Sequence, residues 1–169
     1  MPFPQPEPWL RGPVPGVLRL LQPAAHAFIM SIEDCEAAAS DLTGDQLWAS
    51  PGGAASVGFH LLHLAGSTDR LITYARGERL SDAQKAMLMA ESASARSQTA
   101  VDLLAGWRKG VDTAIAQLAG FREESLNDAR TVGRAQLPST VLGLLFHAAE
   151  HASRHTGQVV TTAKIVKAR

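Results

Sequence analysis

Apolar residues recur every three or four positions along four long stretches of the chain, the spacing that places them on one face of a helix. Prolines, glycines and clusters of polar residues separate these stretches, which cover residues 24–42, 54–77, 101–118 and 138–164. A shorter helix, from a capping Ser81 to about Ser92, precedes the third stretch. The pattern therefore predicts four long amphipathic helices and one extra short helix.

Strands are not predicted, because no segment alternates between apolar and polar residues over the length of a typical strand. The β-branched run at residues 159–162 is a weak signal for a strand, but it is too short to make a sheet. A polar loop over residues 121–138 precedes the last helix, which Pro138 and Ser139 are expected to start. The predicted fold class is all-α, an antiparallel four-helix bundle.

The first 16 residues hold six of the nine prolines. Proline fixes φ and donates no backbone hydrogen bond, so an extended arm is expected, with Trp9 and Leu10 anchoring it to the body. The predicted organisation is an extended Pro-rich arm over residues 1–16 and a single bundle domain over residues 17–169. The arm lacks the features of a signal peptide, and no run of ~18 apolar residues occurs. A cytoplasmic protein that does not contact membranes is therefore expected.

Charge and cysteine content exclude further classes of function. Lys and Arg together number 16, as do Asp and Glu, and this balance gives no basic footprint for nucleic acid. Cys35 is the only cysteine, so the chain has no internal disulfide and no cluster of thiolate metal ligands. We expect Cys35 to be a small, buried, apolar side chain.

Three of the six histidines lie in HAAEHASRHTGQ at positions 147, 151 and 155, each four residues from the next. Four residues is about one helical turn, so the three imidazoles line one face of the last helix. Two histidines at this spacing can bind one metal ion, although a polar seam in a bundle core would give the same pattern. The HExxH motif is missing, and Glu150 points about 100° away from His151, which disfavours a metalloprotease.

A second pair, His60 and His63, lies in FHLLHLAG on the second predicted long helix. The two positions are about 60° apart around a helix, so either side chain could face the core. One histidine from this helix and two from the last would supply three neutral ligands. Such a set leaves positions open for water or substrate, as in catalytic metal sites.

The motif HLLHLAGSTDRLITYARGERL, followed about 80 residues later by LLFHAAEHASRHTGQV, resembles the DinB-like superfamily of metal-dependent enzymes. LTGDQLW, before the second long helix, is also similar to that family, and the resemblance extends from about Val17 to Val166. It implies a four-helix bundle in which three histidines hold a divalent metal, one from the second helix and two from an HxxxH on the last.

The resemblance also selects the ligands. In the family the later histidine of the HxxxH precedes a Gly-Gln, and Gly157–Gln158 in this chain selects His151 and His155. His63 matches the family position on the second helix better than His60 does. The implied metal ligands are therefore His63, His151 and His155, whereas His60, His147 and Gln158 are candidates for supporting roles.

Three other residues have two interpretations each. His26 is either a core histidine or a third wall of the site. Arg70 and Tyr74 lie two and three turns beyond His63, where they would bind an anionic substrate or, alternatively, form ordinary surface and interface contacts.

The resemblance implies an enzyme acting on a small molecule, because characterised members are mostly thiol-cofactor transferases, isomerases or hydrolases. Zinc, nickel or iron would activate a bound water or a low-molecular-weight thiol as the nucleophile. The alternative is a non-catalytic metal-binding stress-response protein with a structural or sensory site, so catalysis itself is left open. A bundle without metal is the third hypothesis. A homodimer is expected, since bundles with long apolar helices commonly pair.

Overall fold

The computed structural model of the protein describes residues 5–91 and 97–168, and over these ranges the chain is mainly helical. Four long helices form a bundle in which α1 and α3 each pack against α5 and α6. This arrangement confirms the predicted all-α fold class. The helices are α1 (Gln22–Ala39), α2 (Gly44–Trp48), α3 (Val57–Ala75), α4 (Asp82–Glu91), α5 (Ala100–Leu118) and α6 (Val141–Lys167).

Side-chain caps fix where the long helices begin. The hydroxyl of Ser56 accepts a hydrogen bond from the backbone N–H of Phe59 at the start of α3, and Thr140 caps α6 in the same way. The prediction that Pro138 and Ser139 start the last helix was therefore two to three residues early. Helix α4 is the predicted extra short helix, and Ser92, its predicted end, lies outside the described residues.

A second short helix, α2, was not predicted. The first predicted stretch extended to residue 42, but α1 ends at Ala39 and Thr43 caps α2 in a capping box with Gln46. The ring of Trp48, at the end of α2, lies against Gly58 of α3. A Cβ at Gly58 would be only 2.6 Å from that ring, so glycine is what allows α2 to pack this closely.

Part of the predicted polar loop forms a hairpin. Strands β1 (Ala129–Val132) and β2 (Leu137–Thr140) pair antiparallel, with Ala129 opposite Thr140. Arg130 ties the hairpin to the bundle, because its Nε donates a 2.8 Å hydrogen bond to the carbonyl of Ala75 at the end of α3. Four-residue strands are too short to show a readable alternation, so the sequence pattern missed them.

The bundle core contains a small buried polar network beside its aromatic residues. The indole Nε1 of Trp107 donates to the hydroxyl of Ser31 at 3.1 Å, and Ser31 and Thr156 are hydrogen-bonded at 2.6 Å. The thiol of Cys35 lies 3.9 Å from the Thr156 hydroxyl and is fully buried, as predicted. Burial raises the pKa of Cys35 to about 12.

The described part of the N-terminal arm is held to α1 by polar contacts. Arg11 forms a bidentate pair with Glu33, at 2.6 and 2.8 Å, and His26 Nε2 lies 3.0 Å from the carbonyl oxygen of Gly12. Trp9 and Leu10 are both more than half exposed, so the expectation that they anchor the arm was wrong. Among the described residues, none of the helices is long and apolar enough to cross a membrane.

Candidate metal centre

Three histidines meet where α3 packs against α6. His63 comes from α3, and His151 and His155 come from consecutive turns of α6. Each offers one ring nitrogen, and these three nitrogens all lie within 4.8 Å of one another. The structure therefore brings together the three residues that the resemblance selects.

The spacing and chemistry of the three imidazoles suit a transition metal. The Nε2 atoms of His63 and His151 are 3.5 Å apart. Two nitrogens bound to one tetrahedral zinc at normal Zn–N distances are separated by about 3.3 Å, so the observed separation is close to that of a ligand pair. Because imidazole suits zinc, nickel and iron, the donor set does not select among them.

Burial keeps two of the three imidazoles neutral. It lowers the pKa of His151 to about 4, and the neighbouring His63 adds to the effect. It likewise lowers the pKa of His155 to about 4, with His151 as the next cause. Near pH 7 both rings therefore carry a free nitrogen lone pair, which is the form that binds a metal.

A buried carboxylate contacts the far side of His63. Glu91, the last residue of α4, places Oε2 2.8 Å from His63 Nδ1, and its Oε1 accepts a 2.6 Å hydrogen bond from Arg70. Burial alone would raise the pKa of Glu91, but the hydrogen bonds from His63 and Arg70 outweigh it and the pKa is lowered. Glu91 could not be identified from the sequence, because nothing in the pattern of α4 indicates which way its carboxylate points.

His60 does not belong to the three-histidine group. Its Nδ1 lies 2.9 Å from Nδ1 of His155, so this ring nitrogen of His155 already has a partner. The residue is only 6% exposed, and burial, followed by the neighbouring His63, lowers the pKa of His60. Phe59 stacks on His63 with the two ring planes 8° apart, which restricts the orientation of that imidazole. His60 is thus placed to support His155.

The other predicted supporting residues are exposed or contact other parts of the chain. The side chain of His147 is 47% exposed, and its Nδ1 is 3.4 Å from Glu150, although its ring still touches that of His151. Gln158 is exposed, and His26 contacts the N-terminal arm rather than forming a third wall.

Arg70 and Tyr74 differ in how they are placed. Arg70 is buried and paired with Glu91, so neither a surface position nor a role in holding a substrate anion agrees with its surroundings. Tyr74 is half-buried against the core.

Comparison with known proteins identifies the family. A family model described as the DinB superfamily matches residues 27–159, more than three quarters of the chain. The chain belongs to the DinB superfamily. The match includes His63, His151 and His155, and membership of the DinB superfamily agrees with a metal-binding role for the group. A search of curated proteins gave no match.

Proposed function

We propose that the protein binds one divalent transition metal through His63, His151 and His155 and acts as a metal-dependent enzyme on a small molecule. The observation that carries this proposal is the convergence of three imidazole nitrogens from two packed helices. Family membership supports it, since the residues that meet are those that the family resemblance selects.

Within residues 5–91 and 97–168 the group has three protein ligands and no fourth, which supports catalysis over a purely structural site. His60 faces His155, and His147 faces Glu150, so neither completes the group as a fourth ligand. The side chain of His63 is 20% exposed and the rings of His151 and His155 are half-buried, so small molecules have access from solvent. Three protein ligands with an accessible face are typical of catalytic zinc sites.

The metal would supply Lewis acidity, lowering the pKa of a water or a low-molecular-weight thiol in an open coordination position so that a nucleophile exists near neutral pH. The residues of the chain would bind the metal and orient the imidazoles that hold it. His151 and His155 offer neutral imidazoles at the working pH, and His60 is hydrogen-bonded to Nδ1 of His155. The proposed reaction class is hydrolysis or transfer of a thiol to an electrophile.

A closed, non-catalytic site is the second candidate. The ring centroid of His147 lies 5.5 Å from that of His151, and the His147 side chain is 47% exposed. Rotation of that side chain would provide a fourth imidazole, as a structural or sensory site requires.

The test is elemental analysis of protein purified without a histidine tag, followed by screens for hydrolysis and thiol transfer. We expect about one equivalent of zinc, nickel or iron per chain, and its loss in His151→Ala. His26→Ala is the matched control, because it removes a histidine whose ring nitrogen is hydrogen-bonded to the N-terminal arm and which is not part of the group. Full metal content in both variants would refute the site. Loss of metal in His147→Ala as complete as in His151→Ala would favour the closed site.

A further inference from the structure

We propose that Glu91 is a positioning residue for His63, held in place by Arg70, and that it fixes the tautomer in which Nε2 of His63 faces the three-histidine group. This inference rests on the proposed metal site. It concerns the carboxylate on the outer side of that site rather than the ligands themselves.

The hydrogen-bonding capacity of the groups determines where the proton lies on His63. An ionised carboxylate can only accept hydrogen bonds, and Glu91 already accepts two from Arg70. The 2.8 Å contact between Glu91 Oε2 and His63 Nδ1 therefore requires Nδ1 to carry the hydrogen. In the neutral ring Nε2 then keeps its lone pair, and Nε2 is the atom that lies 3.5 Å from Nε2 of His151.

The burial of these groups makes the arrangement rigid. The Glu91 side chain is 6% exposed and that of Arg70 is 9% exposed, so water offers little competition for either charge. A buried carboxylate needs a buried cation, and Arg70 contacts both carboxylate oxygens, at 2.6 and 3.3 Å. Arg70 therefore fixes the direction of the carboxylate, and the carboxylate fixes the ring of His63.

Helix α4 contacts α3 near both of its ends, and these contacts position Glu91 beside His63. Near the start of α4, Gln84 donates to the carboxylate of Asp69 at 2.7 Å and to the hydroxyl of Thr73 at 2.8 Å. At the end of α4, Glu91 itself makes the contacts to His63 and Arg70. The short helix thus acts as a support for the outer side of the histidine group.

Gly66 provides the space that this contact needs. It lies one turn after His63 on α3, and a Cβ at this position would be 2.3 Å from Glu91 Oε1 and 2.7 Å from Nη1 of Arg70. Any other residue would meet the carboxylate and the guanidinium. A glycine in the middle of a helix carries a cost in stability, and here it coincides with the closest approach of Glu91.

The experiment compares Glu91→Ala, Glu91→Gln and the control Glu150→Ala. Glu150 is a carboxylate next to His151 in the chain, but it contacts His147 and Arg154 instead of the group. Two quantities are measured: Zn²⁺ affinity by competition with a chromogenic chelator, and the tautomer of His63 in metal-free protein by ¹⁵N NMR of the imidazole. Thermal unfolding checks that each variant folds.

We expect Glu91→Ala to weaken Zn²⁺ binding by roughly 10–100-fold, which is typical for loss of a carboxylate that orients a ligand histidine. The same variant should lose the Nδ1–H tautomer as the dominant form of His63. The Gln side chain can still accept from Nδ1, so Glu91→Gln should keep that tautomer and recover part of the affinity. Glu150→Ala should stay within about twofold of the wild type.

The inference is overturned if a folded Glu91→Ala keeps wild-type affinity, or if it loses affinity while His63 keeps the Nδ1–H tautomer. If Glu91→Ala does not fold, Glu91→Gln decides, and loss of the Nδ1–H tautomer there contradicts the inference. Absence of Zn²⁺ binding in the wild type would refute the proposed function alone, because the tautomer measurement uses metal-free protein.

Discussion

Replacing Gly66 with alanine should break the hydrogen bond between Glu91 and His63 without unfolding α3. On α3 an added Cβ would lie 2.3 Å from Glu91 Oε1, whereas real contacts of this kind begin near 3.0 Å, so the carboxylate oxygen must move by at least about 0.7 Å. The atoms that the methyl group meets are the ends of the flexible Glu91 and Arg70 side chains, so the backbone need not shift. We therefore expect Gly66→Ala to fold and to lose the hydrogen bond to His63.

The magnitude follows from two opposing effects. Alanine is favoured over glycine inside a helix by about 1 kcal/mol. Loss of a buried hydrogen bond to a charged group costs about 1.5–3 kcal/mol. The free energy of unfolding of Gly66→Ala should therefore fall by about 0.5–2 kcal/mol, and Zn²⁺ affinity should fall about tenfold, as for other lost contacts to a ligand histidine.

Gly106→Ala is the matched control, because a Cβ at Gly106 in the middle of α5 meets no atom within 4 Å. That variant should gain about 0.5–1 kcal/mol and keep the wild-type affinity. Urea unfolding and chelator competition measure both quantities. If Gly66→Ala gains as much stability as Gly106→Ala and binds Zn²⁺ equally well, the reasoning about Gly66 is wrong.

Three further predictions concern the histidines and the packing of α2. His60→Phe removes the hydrogen-bond partner of Nδ1 of His155, and Zn²⁺ affinity should fall about tenfold in chelator competition. In metal-free protein the pKa values of His151 and His155 are about 4, and on unfolding they return to the ordinary value of ~6.5. Between about pH 4 and pH 6.5 the unfolded chain therefore binds more protons than the folded protein. Stability should therefore decrease as pH falls from about 6.5 to about 4, and thermal midpoints in EDTA should show a flatter profile when both are replaced by Gln. Gly58→Ala forces a Cβ against the ring of Trp48 and should lower the free energy of unfolding by about 1–3 kcal/mol in urea.

Each of these predictions has an outcome that contradicts it. Unchanged Zn²⁺ affinity in a folded His60→Phe would show that metal binding by His155 does not depend on a partner at its Nδ1. An identical pH profile in the double Gln variant would mean that His151 and His155 do not set the acid sensitivity. A Gly58→Ala protein that is stabilised as much as Gly106→Ala would mean that α2 is free to move aside.

The helices and the main histidines could be predicted because both depend on local spacing. A period near 3.6 residues identified the four long helices. The HxxxH spacing places His151 and His155 on one face of α6 regardless of how the rest of the chain folds. Periodicity alone did not choose between His60 and His63, which lie about 60° apart on a helix. The family resemblance favoured His63, and the packing of α3 against α6 places His63 in the group and His60 beside His155.

The support of the site could not be predicted, because it depends on contacts between distant parts of the chain. Glu91 is 28 residues from His63, and its helix α4 has no buried residue among those described, so no apolar pattern fixes its orientation. Arg70 is buried only because Glu91 compensates its charge, and a single sequence does not show that pairing. The β-hairpin was missed for a similar reason, since Arg130 holds it through the carbonyl of Ala75, 55 residues away.

Cys35 has a consequence for a protein that is proposed to handle reactive small molecules. Burial raises the pKa of the only thiol of the chain to about 12, so this thiol stays protonated near pH 7, and its sulfur is fully buried. Under the proposed function, an electrophile that entered the site would meet no protein thiolate to alkylate. A sulfur nucleophile for the proposed thiol transfer would then have to be a diffusible cosubstrate, and modification of Cys35 by a thiol reagent should report on the opening of the bundle.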